Sequence, residues 1–501
     1  MRVFIMRRLL IPVSATIILL ALVCSGRIYS ARANPSIYIR ANGTIDPPSA
    51  PISTLDNITY AFTGNVTDTV VVQRNNITID GHGFTITDVG RGFQLQSNNT
   101  TIKNTRISGC YTGIDGGATI NNTVTRNNIT GNTEGVHFDV FSKFNTISAN
   151  NITQNSYGIL LTGSTNNTVS SNQLTNNAGA VQSEEGSENN TITANNMTYN
   201  NYGVNIERSY KNTVSGNKIF SNETGVWLAF STFNRISGND MTVSWYGIDL
   251  IESAHYNDII QNNITGAQAQ FAGIHVRMSV GNNITGNRLT DNVYGMNLEA
   301  SSDFNTIQAN LVTNGTRGIY LRNCHSNVLD GNMVTSNLGD SGIELDESSF
   351  NTVSNNNLTN NKYGLHIDGD NNTVTGNTMA LNSYYGIWLA YASNNTIAHN
   401  RFIGNVGYQA YVESTATNNS WDDGYPSGGN FWSDYTGTDL YNGPNQNQAG
   451  SDGIGDTAYT INTKNQDHYP IIPEFAIILL IPLLTIIALF TASLKRTRHH
   501  S

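Results

Sequence analysis

The chain has 501 residues, a formal net charge of −10 and only 12% charged residues. So few basic residues provide no positively charged surface for a nucleic acid, which excludes nucleic-acid binding as its role. By length alone the chain would hold about three domains. A repeat that fills most of the sequence replaces that expectation with one continuous repeat domain between two different ends.

The N-terminus has the three parts of a secretory signal peptide. Three arginines precede the apolar run 9–23, and small residues follow up to Ala33. Residues 1–33 are therefore predicted to be removed on export, which leaves Asn34 as the first residue of an extracellular protein. Residues 34–69 are expected to form an N-terminal cap.

The motif N-T-[VI]-x-x-N-x-[ILM] recurs with a period of 22 to 23 residues. Its copies start at Asn122, Asn145, Asn167, Asn190, Asn212, Asn234, Asn257, Asn282, Asn305, Asn327, Asn351, Asn372 and Asn395. Weaker copies start at Asn76 and Asn99. Units this short cannot bury their own apolar residues and must stack on their neighbours, so the period predicts a solenoid.

The apolar residues within each unit indicate which solenoid forms. In one unit they are Ile147, Ile152, Ile159 and Leu161. Short alternating runs are typical of β-strands, and three runs per unit predict three sheets. Helical spacing and the leucine-rich-repeat pattern are both absent from the repeats. We therefore predict an all-β fold, a single-stranded right-handed parallel β-helix of about fifteen rungs over residues 70–412, with rungs about 4.8 Å apart.

Asparagine and glycine are expected to shape the corners of this helix. The first Asn of each unit should hydrogen-bond to the Asn one rung away, because its amide both donates and accepts. A recurring glycine is expected at one corner, where the missing Cβ lets the chain turn. These glycines are Gly135, Gly158, Gly203, Gly225, Gly247, Gly295, Gly318 and Gly364.

Outward positions in the strand after that glycine carry most of the aromatic and charged residues. Trp227, Tyr320 and Trp388 are expected to point outward, where flat rings can stack on a sugar. This pattern predicts a binding face for a polysaccharide or surface glycan. An ordinary solvated sheet face can contain the same residue types, so that alternative stays open.

The densest cluster on that face consists of Glu344, Asp346, His366 and Asp368. Neighbouring rungs place such residues about 4.8 Å apart, a separation that suits the two carboxyl groups of a retaining glycosidase. They are therefore candidate catalytic residues of a polysaccharide hydrolase or lyase. The alternative is an exposed acidic patch with slightly raised pKa values and no chemistry.

Residues 413–470 are expected to form a C-terminal cap over the last rung. Asp439, Asp452 and Asp456 lie there in a Gly-containing, oxygen-rich stretch. Calcium binds oxygen ligands of this kind in irregular loops. These carboxylates are candidate metal ligands, with calcium as the cofactor.

The last segment, residues 471–501, contains 19 uncharged residues from Ala476 to Leu494, followed by a basic cluster that starts at Lys495. The length suits a transmembrane helix, and the positive charges place the C-terminus in the cytoplasm. The repeat domain is therefore expected on the extracellular face of the cell membrane, tethered by a single span.

Several short stretches together point to a known family. Residues 76–84 read N-I-T-I-D-G-H-G-F, and residues 429–435 read G-N-F-W-S-D-Y. With 452–459 and 467–470, these stretches resemble the NosD-type β-helix repeat family, also described as carbohydrate-binding and sugar-hydrolysis (CASH) domains. The resemblance covers about residues 70–470 and implies the same parallel β-helix.

A second resemblance concerns the residues just before the span. Pro473-Glu474-Phe475, followed by the span and the basic cluster, resembles the PEF-type sorting signal of archaeal surface proteins. This resemblance implies that an archaeosortase, a membrane protease, processes the anchor.

Three functions remain in competition. The first is a non-catalytic cell-surface protein in envelope structure, adhesion or carbohydrate binding. The second is a secreted polysaccharide hydrolase or lyase. The third, a NosD-like copper-related accessory protein, is implied by the family resemblance alone, since the sequence lacks the clustered Cys or Met residues that copper(I) prefers.

Overall fold

The computed structural model describes residues 36–87, 90–268 and 270–472. The predicted signal peptide, PEF motif, membrane span and basic tail lie outside these residues. The described chain contains β-strands and no helix. Consequently, no helix in these ranges is long and apolar enough to cross a membrane.

Three sheets make up the repeat domain, and each turn of the chain, or rung, adds one strand to each sheet. The strands pair in parallel, except that Ile45–Asp46 and Ile52–Thr54 near the N-terminal end pair antiparallel with a neighbour. The 18 strands of sheet A are Ile37–Ile39, Ile45–Asp46, Val70–Val72, Arg91–Leu95, Thr112–Gly116, Glu134–Phe138, Tyr157–Thr162, Gly179–Glu184, Tyr202–Glu207, Thr224–Ala229, Ile248–Ile251, Ala272–Arg277, Tyr294–Glu299, Arg317–Arg322, Ser341–Asp346, Tyr363–Asp368, Tyr385–Leu389 and Tyr408–Val412. Sheet B consists of Ile52–Thr54, Thr59–Phe62, Thr78–Asp80, Thr101–Lys103, Thr123–Thr125, Thr146–Ser148, Thr168–Ser170, Thr191–Thr193, Thr213–Ser215, Arg235–Ser237, Asp258–Ile260, Asn283–Thr285, Thr306–Gln308, Val328–Asp330, Thr352–Ser354, Thr373–Thr375 and Thr396–Ala398.

The 16 strands of sheet C are Thr85–Thr87, Arg106–Ser108, Asn128–Thr130, Asn151–Thr153, Gln173–Thr175, Asn196–Thr198, Lys218–Asn222, Asp240–Val243, Asn263–Thr265, Arg288–Thr290, Leu311–Thr313, Met333–Thr335, Asn357–Thr359, Thr378–Ala380, Arg401–Ile403 and Phe431–Trp432. Sixteen strands in this sheet correspond to about 16 rungs. The prediction of an all-β, right-handed parallel β-helix is therefore confirmed.

The stacking of strands extends at both ends beyond the span 70–412. Ile37–Ile39 pairs in parallel with Val70–Val72, so the segment expected as an N-terminal cap already contributes to sheet A. At the other end, Phe431–Trp432 pairs with Arg401–Ile403 and adds a last strand to sheet C. Two antiparallel hairpins follow, Tyr441–Asn442 with Gln448–Ala449 and Tyr459–Asn462 with Asn465–Asp467.

The core is a set of apolar ladders, one from each sheet. In sheet B, Ile147, Val169, Ile192, Val214 and Ile236 are register partners on successive strands. All five side chains are fully buried, at 0% exposure. Their β-branched shape suits a pleated surface that packs on both neighbours. The predicted inward ladder is confirmed.

Buried asparagines join the rungs at three corners. In the first corner, the backbone N–H of Asn190 donates to Oδ1 of Asn212 at 2.9 Å, and Nδ2 of Asn190 donates to the carbonyl of Ser164 at 2.9 Å. The predicted bond between asparagines one rung apart is thus confirmed. Asn195 and Asn200 belong to two further ladders of the same kind, with N–H to Oδ1 distances of 2.9 Å to the next rung.

The recurring glycines do not form a corner, so that expectation is wrong. Gly135 and Gly158 lie inside strands of sheet A, and neither has a positive φ. A Cβ at Gly135 would lie 2.4 Å from the carbonyl oxygen of Gly158, which leaves no room for a side chain. The corners are made by the residue before a ladder asparagine, where φ is positive, for example +55° at Asn166 and +56° at Ser171.

The C-terminal segment closes the core and ends one of the asparagine ladders. The Trp432 ring stacks between Phe402 and Tyr459, with ring centroids 4.3 and 4.1 Å away. Fully buried Asp467 accepts hydrogen bonds from the backbone N–H of Asn430 at 2.7 Å and from Nε1 of Trp432 at 2.8 Å. A carboxylate accepts hydrogen bonds and donates none, so it suits the end of the ladder, where an acceptor is needed and a donor is not.

Replacing Ile192 with Asp should destabilise the helix by at least about 3 kcal/mol, because it buries a charge between two apolar neighbours. Thr191→Asp is the matched control, since Thr191 belongs to the same strand and is not fully buried. Thermal or denaturant unfolding measures both variants. Equal stability of the two variants would contradict the inward placement of Ile192.

Candidate ligand-binding face of sheet A

Sheet A has longer strands than the other two sheets. Its strands mostly have five or six residues, whereas most strands of sheets B and C have three. In a longer strand, outward positions alternate with inward ones, so large polar and aromatic groups have places on the outer surface. We call that surface the sheet A face. Its members with candidate functions are Trp227, Tyr320, Glu344, Asp346, Tyr363, His366, Asp368, Tyr385, Trp388 and Tyr411.

Glu344 is the centre of the predicted cluster and lies between Arg317 and His366. Nε of Arg317 lies 3.5 Å from its Oε2, and Nδ1 of His366 lies 3.6 Å from its Oε1. Only 7% of Glu344 is exposed. Within the described chain, Oε2 of Glu344 and Nε2 of His366 have no hydrogen-bond partner. Both atoms are enclosed by the surrounding side chains, so they are buried polar groups without a hydrogen-bond partner among the described residues.

The aspartates of the cluster lie on the same two strands. Asp346 accepts a hydrogen bond from the Tyr320 hydroxyl at 2.5 Å and pairs with Arg322 at 3.7 Å. Asp368 is the register partner of Asp346 on the next strand. Burial, followed by the charge of Asp346, raises the pKa of Asp368 above its usual range. The structure thus brings all four predicted cluster residues together, with Glu344 and Asp346 engaged in ion pairs.

An aromatic platform lies beside this cluster. It consists of Tyr363, Tyr384, Tyr385, Trp388, Tyr408 and Tyr411. The His366 ring lies face to face with Trp388, with centroids 4.0 Å apart and planes 11° apart, and Tyr385 stacks on Tyr411 at 4.8 Å. Nε1 of Trp388 donates to Glu413 at 3.1 Å, which fixes the indole ring.

The sequence interpretation missed the tyrosines of this platform. Tyr363 and Tyr385 stand immediately before a recurring glycine, and a Tyr-Gly pair in several units was the signal that could have found them. Tyr384, Tyr408 and Tyr411 are exposed by 49%, 60% and 38%. Several large rings on neighbouring rungs therefore form one partly solvent-exposed aromatic surface.

The three ring residues predicted from the sequence share the sheet A face but do not form one site. Trp227 lies four strands before Tyr320, and Trp388 lies three strands after it. Tyr320 is only 9% exposed, since the Arg317 guanidinium lies 4.7 Å above its ring. Trp388 is the member of the trio that belongs to the platform.

A second buried cluster of the same face went unnoticed in the sequence. Nδ1 of His275 lies 2.7 Å from Asp249, its Nε2 lies 3.4 Å from Glu299, and Tyr246 stacks on its ring at 4.7 Å. Burial alone would lower the pKa of His275, but the hydrogen bonds to the two carboxylates outweigh it and raise the pKa to about 9. With both nitrogens facing carboxylates, His275 is a buried cation at neutral pH.

This cation should make stability depend on pH. The folded-state pKa of about 9 exceeds the ordinary 6.5, so the contribution is fully present below pH 6.5 and is lost as the pH rises through 9. We expect roughly 2 to 3 kcal/mol to be lost between these limits. Thermal unfolding at pH 7 and pH 10 measures the loss. His275→Gln should be less stable at pH 7 and should lose less on going to pH 10, whereas the same pH response in both proteins would contradict the assignment.

The three cap carboxylates predicted as calcium ligands accept hydrogen bonds from the chain itself. Asp456 accepts a hydrogen bond from the backbone N–H of Tyr441 at 2.9 Å, and Asp439 accepts one from the backbone N–H of Gly453 at 2.8 Å. Asp452 accepts one from the backbone N–H of Ile454 at 3.1 Å. Over the described ranges, no group of three or more His, Cys, Asp or Glu side chains could hold a metal ion. The structure does not bring these aspartates together as a ligand set.

The repeats and the three stacked sheets define a β-helix repeat protein. Its outer surface on sheet A carries aromatic and charged side chains. A family model described as "Periplasmic copper-binding protein (NosD)" matches residues 34–190, 67–242, 183–303 and 244–437. These overlapping matches cover well over half of the chain, so the protein belongs to the NosD family. No curated protein sequence matches it.

Solved structures with a similar fold have low sequence identity to this protein. The mannuronan C-5 epimerase AlgE6 A-module of Azotobacter vinelandii is 12% identical, with 71% of this chain and 89% of that chain covered and a TM-score of 0.38. A double-mutant tailspike protein of E. coli bacteriophage HK620 is 10% identical, with 70% and 73% covered and a TM-score of 0.47. The DFA-IIIase of Arthrobacter chlorophenolicus A6, in complex with GF2, is 14% identical, with 51% and 86% covered and a TM-score of 0.38. At these TM-scores none of them carries an argument about this chain.

The family description raises copper as a ligand, and the side chains present do not fit it. Copper(I) prefers thiolate and thioether ligands. Cys110 and Cys324 are buried in the core on distant rungs, and Met197, Met241 and Met379 are fully buried there too. The most enclosed histidine of sheet A already has both nitrogens on carboxylates. In the part of the chain that the structure describes, no group of three or more His, Cys, Asp or Glu side chains could hold a metal ion.

Proposed function

We propose that this protein is an exported, non-catalytic polysaccharide-binding protein whose ligand lies along the sheet A face. The observation that carries this proposal is the aromatic platform around Trp388. Large exposed aromatic patches on a soluble surface mark interaction sites, because apolar area left in water has no stabilising role in the fold.

The chemistry of the platform suits a sugar. A sugar ring has an apolar C–H face that packs on a flat aromatic ring, and a rim of hydroxyl groups that need donors and acceptors. Tyr408 and Tyr411 supply exposed rings. Their hydroxyl groups can donate and accept hydrogen bonds at the same surface. Stacking and hydrogen bonding are thus available a few ångströms apart.

A regular face also suits a polymer rather than a small molecule. Sheet A adds one strand per rung at about 4.8 Å, so a long chain can meet many outward side chains in sequence. Each contact is weak, but contacts on one ligand act together once the first has formed. This favours a polysaccharide or a surface glycan as the partner.

A secreted hydrolase or lyase is the second candidate. Asp346 and Asp368 are register partners on neighbouring strands, and the raised pKa of Asp368 would suit a general acid. Asp346 is engaged with Tyr320 and Arg322, however, which leaves one carboxyl group where two are needed. Binding without turnover is therefore preferred.

Export and anchoring complete the proposal. The chain would be tethered to the outer face of the membrane by the span within 471–501, with its C-terminus in the cytoplasm. The resemblance to a PEF-type signal makes processing by an archaeosortase part of the proposal. In this position the β-helix would contribute to envelope structure or adhesion by holding a surface glycan.

Trp388→Ala and Tyr411→Ala should each weaken polysaccharide binding by roughly fivefold to tenfold, since each removes one stacking surface. Trp227→Ala and Tyr320→Ala should have smaller effects, because these rings lie outside the platform. Tyr111→Ala is the control, because the exposed Tyr111 ring lies many rungs away from the platform. Affinity electrophoresis or titration against a panel of polysaccharides measures the change. Unchanged binding in Trp388→Ala would refute the platform as the binding site.

The same preparation distinguishes binding from catalysis. Wild-type protein should release no reducing ends from any polysaccharide that it binds. Release that disappears in Asp368→Asn while binding persists would replace the binding function with hydrolysis, since the amide keeps the shape but loses the proton.

The topology is tested on intact cells. Cleavage after Ala33 should give a mature N-terminus at Asn34, which N-terminal sequencing detects. External protease should remove the repeat domain and spare the C-terminal segment from Lys495 onward. Recovery of the full chain from the cytosol, with residues 1–33 intact, would disprove export.

A further inference from the structure

Five exposed aromatic side chains occupy one corner in a backbone conformation that bulky residues rarely adopt. They stand just before a first-corner ladder asparagine and are Phe144, Phe233, Tyr256, Phe304 and Phe350. Their φ values lie between +55° and +60°, and they are 52% to 67% exposed. We call them the aromatic column.

The fold itself gives no reason for these rings. Other rungs have asparagine at the same position, namely Asn121, Asn166, Asn189, Asn371 and Asn394, with φ between +55° and +58°. Asparagine tolerates this conformation, whereas a bulky residue is strained in it and here also leaves its ring in water. A strained residue whose ring stays more than half exposed to water is explained by a contact outside the chain.

The spacing of the column indicates the kind of partner. Tyr256, Phe304 and Phe350 stand on every second rung, with Gly281 and Ser326 at the same position between them. At about 4.8 Å per rung, consecutive rings are about 10 Å apart. Two sugars of an extended β-1,4-linked chain have nearly this length, and every second sugar of such a chain presents the same face.

Two rings of the column, Phe233 and Tyr256, are held in place by neighbouring residues. A Cβ at Gly281 would lie 2.6 Å from the Tyr256 ring, so this ring occupies the space that glycine leaves empty. Phe233 stacks against Tyr256 with centroids 5.5 Å apart and planes 14° apart. Rings restrained in this way lose little freedom when a ligand binds.

The width of the column and its flank favour a linear ligand over a protein. On the sheet B side, Asp258 accepts a hydrogen bond from Asn283 at 3.0 Å and lies 3.6 Å from Arg235. A stable protein interface buries about 800 Å² on each partner around an apolar centre. A single file of rings beside charged and amide groups is too narrow for that, but it offers a sugar chain both stacking and hydrogen bonds.

We propose that the aromatic column binds an extended β-1,4-linked polysaccharide, with Tyr256, Phe304 and Phe350 stacked on alternate sugars. The column lies at the corner between sheets A and B, apart from the platform around Trp388. It is therefore a second binding surface, with a selectivity for linkage that the platform does not imply.

The test titrates the purified full chain with cellohexaose and chitohexaose, and with maltohexaose, whose α-1,4 linkage gives a coiled chain. Phe304→Asn and Phe350→Asn should each weaken binding of at least one β-1,4 hexasaccharide by roughly threefold to tenfold. Their thermal unfolding midpoints should stay equal or rise, because asparagine suits the conformation. Asn166→Ala, at the same corner position without a ring, should leave binding unchanged.

Two added rings test the two-rung register. Asn394→Phe places a ring two rungs beyond Phe350, in register with the column, and should strengthen binding of a β-1,4-linked octasaccharide, which is long enough to reach all four rings. Asn371→Phe places a ring one rung out of register and should not. Equal effects of the two variants, equal binding of maltohexaose, or unaltered binding in Phe304→Asn would overturn the proposal.

The outcome for the column is separate from that for the sheet A face. Binding lost in Trp388→Ala but kept in Phe304→Asn overturns the column and leaves the proposed function standing. Binding lost in Phe304→Asn but kept in Trp388→Ala supports the column and refutes the platform.

Discussion

Buried asparagine amides tie each rung of this protein to the next, and the rest of the structure depends on them. The side-chain amide of Asn190 donates to the Ser164 carbonyl and accepts from Asn167 at the preceding corner, while its backbone N–H donates to Asn212 on the next rung, so backbone groups that a tight corner would leave buried have partners. Removing one such partner costs about 1 to 3 kcal/mol, and three ladders repeat the arrangement along the helix. Because the corners are held in this way, strands stay in register and outward side chains line up between rungs.

The repeat made the fold predictable, because period and apolar alternation follow directly from stacking. Ile192 could be placed in the core because every neighbouring unit has an apolar residue in the same register. Gly135 could not be interpreted from spacing alone, since glycine serves equally where φ is positive and where two backbones pass closely. The contact with the Gly158 carbonyl decides between these roles, and it arises only between rungs.

The candidate binding surface was harder to predict, because its residues meet only between rungs. Glu344 and Asp368 were found because they are charged and close in units that follow each other. Asp249, His275 and Glu299 could be assigned to the outer face from the sequence, but the burial of Asp249 and His275 and the contacts across three rungs could not. Tyr385 was missed because it precedes the glycine rather than following it. Contacts between rungs, rather than motifs within one, form the site.

The end of the second ladder sets how the length of this protein can change. Asn400 donates its backbone N–H to Asn430, and Asn430 donates in turn to Asp467, which has no amide to pass the pattern on. Each internal rung therefore presents the same donors on one side and the same acceptors on the other. A duplicated unit inserted between any two rungs would meet matching partners, while the terminator stays unchanged. Evolution can thus lengthen the β-helix in steps of one rung, without redesigning the segment that closes it.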